Sequence, residues 1–205
     1  KGRILYSEMD TTNSDHFEAY NYLVNERKIS REIILKHRLG FCLENSGNKK
    51  YNRRVIIPSY DKFGDVNYFV GRSYDPKEKK NKYMNPDVDK NKIIFNEGYI
   101  NFDDIVFLVE GVFDALSLPN AIPMLGKTIS TTLYYKLKEL KPKIVIVLDP
   151  DAWDNEINLY NTLRLIYNVD TENIRVLNLR GKHDIDAARK NLGQSELIKL
   201  LYGAR

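Results

Sequence analysis

Cysteine is nearly absent from this chain. Cys42 is the only one among 205 residues. That excludes an intramolecular disulfide and any cysteine-rich zinc module within this stretch, and it suits a reducing compartment. Long apolar runs are missing as well: none approaches the roughly 18 residues of a membrane span. No charged-then-apolar segment opens the chain, so no secretory leader is read at its start. The expectation is a cytoplasmic protein with no membrane partner. Neither sign of charge dominates. The 32 basic residues against 28 acidic ones leave +4, a weak lean toward polyanions. No internal repeat and no low-complexity segment is seen. The first residue is Lys1 rather than Met, as expected of a piece of a longer chain.

What is present reads as an ordinary globular protein. Hydrophobic residues make up 42% and charged ones 29%, usual for a folded soluble domain. The length allows a sizeable core, in one large domain or two small ones. Charge is unevenly spread. Between Arg72 and Lys92 stand seven basic and four acidic residues, a local excess of three, with Lys49, Lys50, Arg53 and Arg54 just upstream. A basic surface set before an acidic edge is the charge layout of a nucleic-acid enzyme. Taken by itself, the charge reads more simply as a solvated lysine-rich loop.

Residues 15–38 read as two helices. Phe17, Tyr20, Leu23 and Val24 share a face of the first. Ser30 caps the second ahead of Ile33, Ile34 and Leu35, and Gly40 closes the segment. Residues 54–59 and 66–72, joined by Asp61-Lys62-Phe63-Gly64-Asp65, predict a hairpin. Residues 75–91 are polar and irregular. Beyond Asn101 the pattern alternates. Strands at 105–109, 121–125, 143–148 and 173–179 lead to helices at 113–118, 131–140, 155–167 and a short one from Ile185. Repeated βα units imply a parallel sheet with helices on both faces. The expected division is a mixed α+β subdomain over 1–101 and an α/β domain over 102–205.

The acidic residues matter through their placement. Glu110 follows the run Ile105-Val106-Phe107-Leu108-Val109 and opens a turn with Gly111. Asp149 follows Ile144-Val145-Ile146-Val147-Leu148 and opens Asp149-Pro150-Asp151. Both lie at the C-terminal edge of a buried parallel strand, where open α/β sheets build their sites. Residues i and i+2 in extended geometry point to one side, so Asp149 and Asp151 can share an ion. A third pair, Asp184 and Asp186, follows the fourth strand after Gly181. Asp114 lies one helical turn beyond Glu110 and can face the same place. Carboxylates gathered at one edge repel each other unless a cation sits among them, and hard oxygen ligands suit Mg²⁺ or Mn²⁺. Each group also has a plainer reading: Glu110 as an acid favoured by a helix N-terminus, Asp149 and Asp151 as capping residues of a proline turn. His183 reads as a surface residue.

Glu110-Gly111-Val112-Phe113-Asp114 and Asp149-Pro150-Asp151 resemble the two acidic motifs of the TOPRIM domain. That domain is shared by bacterial-type primases, type IA and type II topoisomerases and some nucleases. The upstream half resembles the DnaG-type primases in particular. Arg54-Val55-Ile56-Ile57-Pro58, the Asp61 and Gly64 turn and Val70-Gly71-Arg72 follow that family's order, as do Lys82-Tyr83-Met84-Asn85, Tyr22-Leu23 through Gly40-Phe41, and Met124-Leu125-Gly126. Gly181-Lys182-His183-Asp184-Ile185-Asp186 is similar to its third acidic motif. The resemblance covers nearly the whole chain. There are departures. Ala152-Trp153-Asp154 stands where the family often has Ala-Gly, so Trp153 puts a bulky residue beside the acids. A double glycine before Arg72 is reduced to one, and no zinc-binding or helicase-binding module lies in this stretch.

The resemblance implies a TOPRIM domain behind a smaller mixed subdomain, and template-directed synthesis of RNA primers on single-stranded DNA. Glu110, Asp149 and Asp151 would be catalytic, and Glu110, Asp149, Asp151, Asp184 and Asp186 would surround Mg²⁺ or Mn²⁺. Arg54, Arg72, Lys82, Tyr83 and Asn85 would contact nucleotide or template, although Tyr83 also fits a core position and Asn85 a turn. The partners would be a DNA template, ribonucleoside triphosphates and a replicative helicase reached through regions absent here, in the cytoplasm of a bacterial or phage-infected cell. A TOPRIM nuclease and a non-catalytic single-stranded-DNA-binding replication module are the competing readings. A topoisomerase is weaker, for want of a separate domain carrying a tyrosine nucleophile.

Overall fold

Two kinds of apolar run build two different sheets. The structure is a computed structural model and describes residues 4–5, 13–43, 49–126, 128–149, 153–168, 172–177 and 185–203. The chain forms two compact units. The first is Lys1–Tyr60 with Asp65–Val88, and the second is Asp61–Gly64 with Asp89–Arg205.

The first unit holds an antiparallel sheet of β1 (Ile4–Leu5), β2 (Gly40–Cys42), β3 (Arg54–Tyr60), β4 (Val66–Ser73) and β5 (Tyr83–Met84), in that spatial order. The expected hairpin is β3 and β4, paired from Arg54↔Ser73 to Tyr60↔Val66. Strands β1, β2 and β5 were not expected. Helix α1 (Ser14–Asn21) runs on into a π-helical turn, Tyr22–Glu26, and α2 (Arg31–Lys36) follows. Ser30 caps α2 as predicted, its hydroxyl accepting the Ile33 N–H at 3.3 Å.

The buried stripe of α1 is displaced from the expected one. His16, Ala19 and Leu23 are buried, whereas Phe17 is 51% exposed. The cause is β2, whose Phe41 meets the His16 ring edge-on at 5.1 Å. Gly40 likewise opens β2 rather than closing a helix. The chain instead leaves the helix through Arg38, whose φ of 48° makes the left-handed turn more often given to glycine. At Gly71 on β4, a Cβ would lie 2.7 Å from the Met84 carbonyl oxygen and 3.3 Å from Tyr51. Glycine is therefore what lets β5 close on β4.

His37 ends α2, and burial pushes its imidazole down to about 4, with Lys36 adding to the effect. Folding thus favours the neutral ring, so its contribution is complete above about 6.5 and is lost as pH falls toward 4. Chemical denaturation of the parent and of His37→Gln across that window should show a steeper fall for the parent. Parallel curves would remove His37 from the acid response.

The second unit carries the parallel sheet. In chain order it runs β6 (Val106–Val109), α3 (Val112–Ser117), β7 (Ala121–Pro123), α4 (Thr131–Leu140), β8 (Ile144–Val147), α5 (Trp153–Ile166), β9 (Ile174–Val176), α6 (Ile185–Leu192) and α7 (Gln194–Gly203). The strand order is β7-β6-β8-β9, all parallel. Every residue of β6 and β8 is buried, because side chains alternate to two covered faces. Val106, Leu108, Ile144 and Ile146 pack with Leu133 and Leu137 of α4 and Leu159 and Leu163 of α5. Phe107, Val109, Val145 and Val147 pack with Ile185 of α6 and Leu197 and Leu201 of α7. Helix α7 was not expected. It starts just after Gly193, at φ 84°, and Tyr202 sets its ring edge-on to Phe107 at 5.4 Å.

Residues 89–101, grouped by their sequence with the first half, pack with the second unit. Ile94 is in its core. The Ser130 hydroxyl donates to the Ile93 carbonyl at 2.7 Å and Thr132 to that of Asn91 at 2.9 Å. Among the described residues no helix is long and apolar enough to cross a membrane.

Candidate active site

The two central strands of the parallel sheet end in acids. Val109 of β6 pairs with Val147 of β8, so Glu110 and Asp149 leave neighbouring strands at one edge, on backbones about 5 Å apart. Both are only partly exposed. Glu110 Oε2 is buried and has no hydrogen-bond partner. Such a bare carboxylate oxygen is costly, and a hard cation is the partner its chemistry suits. The residues present therefore fit a divalent ion at this edge. Among the described residues no three potential ligand side chains gather closely enough to hold one. Asp151 and Asp184, two of the expected ligands, lie outside the described residues, as do Pro150, Lys182 and His183.

The same edge shows backbone strain. Leu125, two residues past β7, stands at φ 56°. That left-handed conformation costs a branched residue on the order of 1 kcal/mol or more. Its carbonyl accepts the Lys90 ammonium at 3.3 Å. Strain of this kind clusters at functional sites, and Leu125 sits in the Met124-Leu125-Gly126 stretch singled out by its sequence.

Asp114 and Asp186 turn out to be built into the scaffold. Asp114 is buried; its Oδ2 accepts the Gly111 N–H at 3.0 Å and its Oδ1 accepts the Asp186 N–H at 3.3 Å. It thus fixes the turn after Glu110 and the start of α6 together. Asp186 is in the first turn of α6, with Oδ1 on the Arg189 guanidinium and Oδ2 on the Lys190 ammonium, each at 2.8 Å. Arg189 Nε donates in turn to the Ser117 hydroxyl at 2.8 Å, and Ser117 donates to the Phe113 carbonyl at 2.8 Å. Sequence reasoning overlooked Arg189 and Lys190. The i+3 and i+4 spacing from Asp186 was the available signal.

In the first unit, Arg72 and Tyr83 face each other across β4 and β5, with the guanidinium 4.7 Å from the ring centre. Arg72 Nε and Asn85 Oδ1 are buried with no hydrogen-bond partner. Burial pushes the Tyr83 phenol up, against the pull of the Arg72 and Arg27 guanidiniums. Arg54 is buried. It donates to the Lys50 carbonyl at 3.3 Å and to the Lys82 carbonyl at 3.2 Å, and loss of solvation lowers its pKa. Lys82 itself projects outward, exposed. Arg54 therefore holds the backbone at Lys82, while Arg72, Tyr83 and Asn85 supply stacking and polar groups on and beside β5.

The parallel sheet with acids at its strand ends, reached through a preceding antiparallel half, makes this a TOPRIM-type α/β protein. Its fold is that of the catalytic core of DnaG-type primases, which the chain also resembles in sequence. It is 30% identical over 172 residues to a DNA primase of Clostridium acetobutylicum, an alignment covering 76% of this chain and 27% of that protein. The chain thus spans about a quarter of that relative's length. Its fold matches the Aquifex aeolicus primase zinc-binding and RNA polymerase domains with a TM-score of 0.74 at 23% identity, covering 97% of this chain and 58% of that one. A DnaG primase catalytic domain bound to single-stranded DNA matches with a TM-score of 0.73 at 19% identity, covering 94% of this chain and 73% of that one. No protein-family model matches.

Proposed function

We propose that this chain is a primase catalytic core, joining ribonucleotides into short primers on a single-stranded DNA template. The observation that carries the proposal is the pairing of Glu110, with its bare buried oxygen, and Asp149 at adjacent strand ends. Glu110, Asp149, Asp151 and Asp184 would hold divalent ions, with Asp186 joining only where Lys190 releases it. Bound there, Mg²⁺ or Mn²⁺ would lower the pKa of the attacking 3′-hydroxyl and offset charge on the triphosphate and the leaving pyrophosphate. Arg72, Lys82, Tyr83 and Asn85 would hold template or nucleotide, with Arg54 steadying Lys82 from behind. Arginine suits forked phosphate contacts and lysine acts as a mobile point charge. A replicative helicase would be engaged through other parts of a longer protein, in the cytoplasm of a bacterial or phage-infected cell.

The test is a gel assay with this chain, single-stranded DNA, four ribonucleotides and Mg²⁺ or Mn²⁺, beside Glu110→Gln. New RNA that vanishes with Glu110→Gln supports the proposal. Shortened template without new RNA would establish a nuclease instead. With neither product, supplying a preformed primer decides: extension keeps the polymerase core, and no extension leaves a binding module.

Lys82→Ala carries a separate expectation. Single-stranded DNA affinity should fall several-fold, and the log–log salt slope should shrink by about 0.7 for one lost phosphate contact. Unchanged affinity and slope in an anisotropy titration would take Lys82 off the DNA path.

A further inference from the structure

Lys90 is a cation of the second unit that no motif marks, and it is tied to the acidic edge of the parallel sheet. It opens a single 3-10 turn, Lys90–Lys92, capped by Asp89, whose carboxylate accepts the Asn91 N–H at 3.0 Å. The backbone after it is fastened to the start of α4, because Thr132 holds the Asn91 carbonyl and Ser130 that of Ile93. From this fixed backbone Lys90 sends its ammonium to the Leu125 carbonyl, 3.3 Å away. Leu125 places that ammonium. Strand β7 lies beside β6, with Pro123 level with Val109. The Met124 N–H then donates to the Val109 carbonyl at 2.9 Å, so Met124 stands beside Glu110 on backbones about 5 Å apart. Leu125 is the next residue. Its carbonyl therefore belongs to the same row of strand ends as Glu110 and Asp149, on the β7 side.

An ammonium carries three N–H donors. The Leu125 carbonyl takes one, and Lys90 is exposed, so the others are open to a ligand. Among the described residues no carboxylate is paired with it. The rim beside it is open too: at Gly126 a Cβ would meet nothing within 4 Å. A surface lysine normally samples many rotamers, and ordering it on binding costs affinity. One donor resting on a carbonyl lowers that cost and leaves the charge in place. An uncompensated cation at the end of a row of acids suits a ligand that brings its own metal-bound negative charge to that row. A nucleoside triphosphate is such a ligand.

We propose that Lys90, steadied by the Leu125 carbonyl, binds the two terminal phosphates of the incoming ribonucleoside triphosphate from the β7 side of the acidic edge. This rests on the polymerase reading of that edge and names the residue that receives the triphosphate tail there. In the transfer, the primer 3′-oxygen gives its proton to water and bonds to the α-phosphorus. The bond from that phosphorus to its bridging oxygen breaks, and pyrophosphate leaves with the electron pair. Negative charge gathers on the leaving group, where a lysine point charge stabilises it. The strained turn at Leu125, with φ of 56°, then has a use, since it carries the carbonyl on which Lys90 rests.

The experiment measures two affinities, for a fluorescent ATP analogue in Mg²⁺ or Mn²⁺ and for a labelled oligothymidylate. It compares the parent chain, Lys90→Ala, Lys90→Gln, Lys90→Arg and Lys92→Ala, each checked for folding by thermal melting. Lys90→Ala should weaken ATP binding about tenfold, the size of one charge-assisted hydrogen bond, and leave DNA affinity unchanged. Lys90→Gln should be as weak as Lys90→Ala, because an amide can still reach the Leu125 carbonyl but carries no charge. Lys90→Arg should recover most of the loss. Lys92→Ala, which removes a charge from the same turn, should bind ATP like the parent. Unchanged ATP affinity in Lys90→Ala, or parental affinity in Lys90→Gln, overturns this inference alone and leaves Lys90 a support for Leu125. Equal losses in Lys90→Ala and Lys92→Ala, or losses of ATP and DNA together, also overturn it, because the effect would then be one of overall charge. A parent chain that binds neither ATP nor DNA sinks the polymerase reading itself and this inference with it.

Discussion

Asp149→Ala is expected to yield a folded protein that makes no measurable primer. Removing a partner that merely orients a metal ligand costs tenfold to a hundredfold, so loss of a ligand from the strand edge should exceed about a hundredfold. The fold should tolerate it. Asp149 lies past the end of β8, outside the buried strand Ile144–Val147, and is only partly buried. Substitutions at such positions shift stability by about 0.5 kcal/mol or less. Relief of repulsion from Glu110 and its acidic neighbours acts in the stabilising direction. The measurement pairs the primer gel with a urea melt. An inactive variant with the parent midpoint places Asp149 in the chemistry. Near-parental primer yield would remove it from the metal set, and a lowered midpoint would make it structural.

Arg189→Ala should do the reverse, harming the fold before the chemistry. Arg189 and Asp186 are each 6% exposed and joined at 2.8 Å, and Arg189 also donates to Ser117 on α3. Breaking a buried ion pair by deleting one member costs about 3–5 kcal/mol. Asp186 would keep Lys190, which puts the expected loss at the lower end, near 3 kcal/mol. Lys190→Ala is the contrast. Its side chain is 26% exposed, and such pairs contribute about 1 kcal/mol or less. Guanidinium unfolding of the three proteins decides the matter. If Arg189→Ala and Lys190→Ala fall within about 1 kcal/mol of each other, the buried network is not what fastens α6.

The second unit was more legible than the first, and the reasons are physical. A strand covered on both faces must be apolar throughout, so β6 and β8 stand out as unbroken runs. Helix α4 was read to the residue because Ser130 caps its start and its apolar positions keep helical spacing. In the first unit the strands are short or mixed. Strand β2 is three residues long and β5 two, too brief for any alternation to register. Missing β2 also misassigned the buried face of α1, since a histidine beneath Phe41 has no hydrophobic signature. Helix α7 was missed because Gly193 reads as an end, although Leu197 and Leu201 repeat four apart behind it.

Among the site residues, Glu110 and Asp149 follow from position alone, as strand-end acids. The partners of Asp186 and the inward turn of Asp114 are set by tertiary packing, which only the folded chain reveals. Arg54 shows the limit from the other side. The resemblance implies a nucleotide or template contact there, and the folded chain adds that its guanidinium donates to two backbone carbonyls.

The Asp114 carboxylate holds the Gly111 amide three positions before it and the Asp186 amide 72 positions after it. Two stretches that look like separate motifs are thus one mechanical part. A segment swap that brings in a foreign 110–114 turn without its matching 185–189 segment would present one acid correctly and misplace the other. Both donors are backbone amides, so Asp114 is the one side chain whose replacement loses both bonds, and a library randomised over the two stretches is expected to keep aspartate at 114.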